Sequence, residues 1–224
     1  MNAVAAKAHS KGTVMVTKGL LVRLHSQDGK NSEVEEFLRS ALPLAQNEPA
    51  TTAWYAIHFG GSKYGIVDVF PDEAGRQAHL NGPVAKALMD QAATLLSEPP
   101  NIEELDVLAH KLPKAPVTTA DTKALMLTFE PKSGHESQVL DFLRGAQPWV
   151  EEEPGTTAWF AIQLNDGKCG IFDSFPDHAD RLKHLTGRVA RELTKHALSL
   201  LGGLPDPELL DVVAENLHPR PVGE

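Results

Sequence analysis

The chain has a single cysteine, Cys169, in 224 residues. An internal disulfide is therefore excluded, and a reducing cytoplasm is the expected setting. Positive charge is also short: 21 Lys and Arg against 30 Asp and Glu leave a net charge of −9. Such a chain lacks the basic surplus that phosphate backbones require, so no nucleic-acid partner is expected. No run approaches the ~18 apolar residues of a membrane span, so no membrane partner is expected either. The N-terminal "MNAVAAKAHSKGTVMVTKGL" breaks its short apolar stretch with a lysine and reads as a poor signal peptide. The histidines scatter without ligand spacing and no phosphate-loop motif occurs, so neither a metal nor a cofactor is expected. What is present, 42% hydrophobic and 23% charged residues, is ordinary for a globular chain with a sizeable core.

Aromatics make up only 6% of the chain, yet one aromatic phrase occurs twice. Glu48 to Asp72 reads "EPATTAWYAIHFGGSKYGIVDVFPD", and Glu153 to Asp177 reads "EPGTTAWFAIQLNDGKCGIFDSFPD". Shifted by about 105 residues, the sequence matches itself from Leu20/Leu125 to Leu112/Leu217 without a gap. About 42 of about 95 aligned positions are identical. Two copies are too few for a solenoid, so two homologous domains in tandem are expected. The divisions are a tail at 1–18, repeats at 19–113 and 124–218, a linker at 114–123 and a tail at 219–224. The linker region "PKAPVTTADTK" has the prolines and small polar residues of a connector.

Each copy shows the same order of elements. "GLLVRLH" and "ALMLTFE" read as strands. A helix follows, with capping-box spacing at Ser32/Glu35 and Ser133/Glu136. Its apolar stripe is Val34, Phe37, Leu38 and Ala41, or Val139, Phe142, Leu143 and Ala146. Two alternating segments joined by "GGS" or "NDG" read as a hairpin. Asp72 and Asp177 are N-cap residues for a second helix. That helix breaks at "LNGPV" or "LTGRV", where Asn81 and Thr186 offer new N-caps. A last strand, Glu104–Leu112 or Leu209–Leu217, completes the copy. The βαββαβ order predicts an α+β, ferredoxin-like repeat with helices on one sheet face. The bare faces of the two sheets should bury each other, giving an intramolecular dimeric α/β barrel. A homodimer of such pseudo-dimers is left open.

The strand "EPGTTAWFAIQL", the hairpin into "GIFDSFPD" and the helix "DHADRLKHLTGRVA" together resemble the antibiotic biosynthesis monooxygenase family of the dimeric α+β barrel superfamily. Each repeat resembles one whole family domain. The resemblance implies a pocket within each domain, between helices and sheet. It also implies oxygen insertion into phenolic substrates without metal or flavin. Some relatives degrade haem instead, with an axial histidine at a place similar to His79/His184. Their Asn has no counterpart in the first strands here.

The repeated polar and aromatic residues are the candidate site. Period 2 sets Trp54 with Thr52, Ala56 and His58 on one strand face, and Trp159 with Thr157, Ala161 and Gln163. There a tryptophan can stack on a flat substrate or simply fill the core between the sheets. Asp68 and Asp173 sit beside Ile66/Phe70 and Ile171/Phe175. A carboxylate on an apolar face must be paired, with Arg76/Arg181 or a helix end, or have a raised pKa suited to a general base. His79 and His184 follow Arg76 and Arg181 by one helical turn; they are either proton shuttles or caps at the helix break. Tyr64, His58 and His25 become Cys169, Gln163 and Glu130, so chemistry shared by both copies cannot need them.

The expected function is a cofactor-independent monooxygenase taking dioxygen and a small aromatic or polyketide-like substrate. Asp68, His79, Asp173 and His184 are its catalytic candidates. Trp54, Phe70, Arg76, Trp159, Phe175 and Arg181 are its substrate-binding candidates. A non-catalytic small-molecule or stress-associated barrel and a haem-binding or haem-degrading oxygenase are the alternatives.

Overall fold

A computed structural model describes residues 15–115, 117–203 and 205–217. The first half runs β1 (Lys18–His25), α1 (Asn31–Gln46), β2 (Ala53–Gly60), β3 (Lys63–Phe70), α2 (Glu73–Leu80), α3 (Pro83–Leu95) and β4 (Asn101–Lys111). The second runs β5 (Lys123–Phe129), α4 (Glu136–Gly145), α5 (Gln147–Glu151), β6 (Ala158–Leu164), β7 (Cys169–Phe175), α6 (His178–Leu185), α7 (Arg188–Leu200) and β8 (Asp206–Leu217). The eight strands close an antiparallel barrel in the order β1-β3-β2-β8-β5-β7-β6-β4. Two seams join the halves, β2 with β8 and β4 with β6. The fold is thus α+β with no open sheet edge, which removes the unpaired N–H and C=O groups that an edge strand exposes.

Strand alternation divides the core. Residues pointing inward, among them Leu21, Tyr55, Ile57, Met126, Phe160 and Phe172, fill the barrel. Residues pointing outward pack under helices, α1 and α3 on one half and α4, α5 and α7 on the other. The helices also reach across the seams: Arg39 of α1 donates from Nη1 to the Val213 carbonyl of β8 at 2.6 Å. The hairpin turns form as the glycines suggest, with positive φ at Gly60, Gly61 and Gly167.

Several local expectations need correction. Neither capping box forms: Lys30 and His135 are the N-caps, without side-chain cap bonds. Glu35 instead accepts from the Tyr64 hydroxyl and pairs with Arg39, and Glu136 accepts the Gly134 N–H. Asn81 and Thr186 end α2 and α6 as C-caps, and Gly82 and Gly187 start α3 and α7. Residues 16–18 are not a tail: Val16 is buried in the barrel and Lys18 opens β1. Residues 1–14 and 219–224 of the expected tails lie outside the described residues, as does His218 at the end of the expected second repeat.

Candidate functional site

The site begins with two N-caps. The Asp72 side chain accepts the Gly75 N–H at 2.9 Å, and Asp177 accepts those of Ala179 and Asp180. Each cap fixes the start of a short helix, α2 or α6. Two turns later His79 or His184 points down onto the sheet, on the face that carries Asp68 or Asp173. In the sheet Trp54 lies opposite Asp68, and Trp159 opposite Asp173.

Each histidine is buried between two carboxylates. His79 Nδ1 donates to Glu48 Oε2 at 2.5 Å, and Nε2 lies 3.2 Å from Asp68 Oδ2. His184 repeats the pattern, with Glu153 at 2.6 Å and Asp173 at 3.4 Å. Thr51 and Thr156 donate to the same glutamates at 3.0 and 2.9 Å. Glu48 Oε1 also accepts the Val84 N–H at the start of α3. A Cβ on Gly82 would stand 2.7 Å from that oxygen, and one on Gly187 would stand 2.9 Å from Glu153 Oε1. The glycines in the helix break therefore make room for the glutamates. Neither histidine caps the break.

Burial disfavours a charged His79, but the Asp68 and Glu48 carboxylates prevail and hold its pKa at about 10. His184 is raised by Asp173 and Glu153 against the same burial effect. Glu48 and Glu153 go the other way. Burial opposes their charge, yet the histidine hydrogen bonds and charges keep both below the ordinary glutamate value. The aspartates differ again: burial raises Asp68 despite His79, and raises Asp173 to about 7 despite His184. Neither aspartate has an aligned hydrogen-bond donor on either oxygen. The expected Asp–Arg pairs are therefore replaced by Asp–His pairs that are close but poorly aligned.

The arginines do other work. Arg76 donates to the Leu105 carbonyl and pairs with Glu73 and Glu104. Arg181 donates to the carbonyls of Ala124 and Leu210 and contacts His178. Both pin a helix to the sheet through their Nη atoms, and each Nε is buried without a partner among the described residues. Trp54 and Trp159 are fully buried in the layer between sheet and helices, not between the sheets, and fill it. Phe70 and Phe175 pack against the His79 and His184 rings at 5.2 and 5.4 Å, so they position the imidazoles.

Cavities lie in both halves. In the second half a cavity of about 200 Å³ lies between sheet and helices. Leu125, Leu127, Ile171 and Leu193 give it apolar walls, and Asp173 and His184 are its acid–base groups. His184 also borders an outer cavity of about 340 Å³ beside Glu153 and Thr156. In the first half the cleft between α1 and α3, lined by Leu24, Val34, Phe37 and Leu88, has no room for a water, and a cavity of about 500 Å³ lies beside Met89, Leu96 and Pro99. The glutamates and threonines were not among the sequence candidates. Their signal was present in the repeated "EP-x-TT".

No protein-family model matches the chain, and no curated protein matches it. Solved structures do. A candidate monooxygenase from Fusobacterium nucleatum superposes with TM-score 0.79 at 14% identity, over 91% of this chain and 95% of its own. A candidate monooxygenase from Lactobacillus acidophilus gives 0.76 at 11%, over 90% and 96%. A protein of unknown function from Nitrosomonas europaea is 56% identical over 45% of this chain and 98% of its own, with TM-score 0.44. A Listeria monocytogenes ferredoxin-fold protein related to antibiotic biosynthesis monooxygenases gives 0.53 at 10%, over 89% and 96%. The closed barrel defines the class, an α+β protein of eight antiparallel strands flanked by helices. Within that class the chain has the fold seen in the monooxygenase-like ferredoxin-fold proteins.

Proposed function

We propose that the chain is a monooxygenase built from two tandem ferredoxin-like repeats, residues 19–113 and 124–218, and that its reaction runs in the second. The carrying observation is Asp173, a fully buried carboxyl without an aligned donor at the wall of an apolar cavity. With its pKa at about 7 it is half ionised near neutrality, which suits a general base. The His184 imidazolium at 3.4 Å keeps it from rising further, and Glu153 and Thr156 hold that ring in place.

Asp173 takes a proton from an activated CH₂ or phenol. The resulting anion sits in apolar surroundings that favour charge delocalised over the ring. It passes an electron to dioxygen, and the radical pair combines to a peroxide at the deprotonated CH₂ carbon or, for a phenolate, at a ring carbon ortho or para to the oxygen. Loss of water leaves a ketone: R₂CH₂ + O₂ gives R₂C=O + H₂O, with all electrons supplied by the substrate. A cavity of about 200 Å³ is small beside the ~300–1,000 Å³ of common ligand pockets, which favours a compact substrate of two or three fused rings at most. The haem alternative finds little support. Both nitrogens of each candidate axial histidine face carboxylates, and a protonated imidazole has no lone pair for iron.

The test is oxygen uptake with a hydroxynaphthalene and an anthrone as probes. Asp173→Asn should lower the rate ~10²–10⁴-fold, and the wild-type rate should rise with pH through about 7 as the base ionises. An Asp173→Asn rate equal to wild type removes the base. No uptake by wild type with either probe removes the oxygenase and leaves a binding barrel. A Soret shift on adding haemin would revive the haem reading.

A further inference from the structure

The two seams of the barrel are related by the 105-residue repeat, yet their chemistry differs. At the β2–β8 seam Tyr55 stands opposite Glu215. At the β4–β6 seam the equivalent positions are Phe160 and His110. Asp121, in the connector just before β5, matches Val16, and Ser174 of β7 matches Val69 of β3. Val16 and Val69 are buried in the barrel interior, whereas Asp121 brings a carboxyl to the same depth, 3% exposed. One seam therefore carries a buried pair of carboxyls, whereas at the other the equivalent places are held by a histidine and a valine.

That cluster is ordered. The Asp121 N–H donates to Glu215 Oε1 at 2.8 Å. The Thr157 hydroxyl donates to Asp121 Oδ1 at 2.6 Å, and the Tyr55 hydroxyl and Ser174 Oγ are 3.0 Å apart. The two remaining carboxyl oxygens, Asp121 Oδ2 and Glu215 Oε2, are buried without a donor. The two carboxyls also act on each other through their side chains, and a proton shared between them would satisfy both. The groups acting on the pair are Ser174 and Thr157, with Tyr55 and Asp173 beyond, and none of them is a cation.

We propose that Asp121 and Glu215 form a proton-held latch that ties the connector to the last strand and closes the β2–β8 seam. With one proton between them the carboxyls bind each other. With none, two buried negative charges face each other, with no cation among the described groups acting on them, and the seam loosens. Burial raises both acids, Glu215 to about 7. An acid raised in the folded state contributes stability below its unfolded pKa near 4.5 and loses it as pH climbs toward 7. The strand β8 also supplies Pro207 to the wall of the inner cavity, so latch and cavity share an element.

Amide hydrogen exchange on the full chain tests this, because the second seam is an internal control. Intrinsic exchange speeds up equally at both seams as pH rises, so it cancels in their ratio. Protection of β2–β8 amides relative to β4–β6 amides should fall by about tenfold or more between about pH 6 and pH 9, the scale of one pKa unit. Glu215→Gln, which replaces the shared proton with an amide donor, should abolish that change. A wild-type ratio that is constant with pH, or a change that persists in Glu215→Gln, overturns the latch. Should the variant not fold, ¹³C carboxyl shifts of the wild type decide: a coupled titration with one step above about pH 6 supports the latch, and two ordinary titrations near pH 4 overturn it. None of these readouts depends on oxygenase activity.

Discussion

His79 carries two jobs that pull apart at high pH. Its positive charge compensates Glu48 on one side and Asp68 on the other, in a place where neither carboxylate has much water. A pKa of about 10, raised from 6.5, means that this contribution is complete below pH 6.5 and is lost as pH climbs toward 10. Denaturant unfolding should therefore show stability falling across that window, and His79→Gln should flatten the fall. Removing the ring outright, His79→Ala, should cost about 3–5 kcal/mol near neutrality, as loss of one partner of a buried pair does. If His79→Ala unfolds with wild-type stability, the triad is not a buried charge network. The aspartates and histidines were readable from the sequence because both copies keep them within an apolar context. Their partners were not. Period 2 and period 3.6 place residues on faces, but Glu48 and Thr51 lie in the turn before β2, where neither period applies. The same gap explains why the arginines looked available. Spacing put Arg76 near His79, but could not show that its fork is taken up by Leu105, Glu73 and Glu104.

At the scale of elements, strands and hairpins were the legible part, since alternation and turn glycines are local signals. Helix starts were less so. Ser32 and Ser133 had the right partners for capping boxes, yet tertiary packing starts α1 and α4 at other residues. The break between α2 and α3 was visible as Gly82, but what requires a glycine there, the Glu48 carboxylate lying 2.7 Å from where a Cβ would be, is a contact across 34 residues. Strand glycines make a similar demand. A Cβ on Gly170 would meet the Leu127 carbonyl oxygen at 2.5 Å, and one on Gly65 would meet the Val22 oxygen at 2.7 Å. In both cases the obstacle is neighbouring backbone, which cannot step aside. Gly170→Ala should lower stability by about 1–3 kcal/mol, as overpacking does, and push β5 away from β7. Thermal unfolding checks the cost, and an unchanged midpoint would mean that the ladder has slack there.

At the scale of the molecule, the barrel exists because each half leaves one sheet face bare. Tyr55, Ile57 and Val67 from one half meet Phe160, Ile162 and Phe172 from the other, and the Tyr55 and Phe172 rings contact edge-on at 5.1 Å. Helix α1 completes the arrangement by packing on β8. This closure was legible from the 105-residue repeat and from strand faces too apolar to stay in water. The cavity of about 200 Å³ was not, because it depends on how side chains fill a volume, and pattern does not report volume. The central claim is that neither half is complete without the other's bare face. Sedimentation of the two halves, each purified alone at low concentration, tests it most directly. Self-association or unfolding of each half, with one compact species restored on mixing, is the predicted result; a half that sediments as a folded, stable monomer contradicts it.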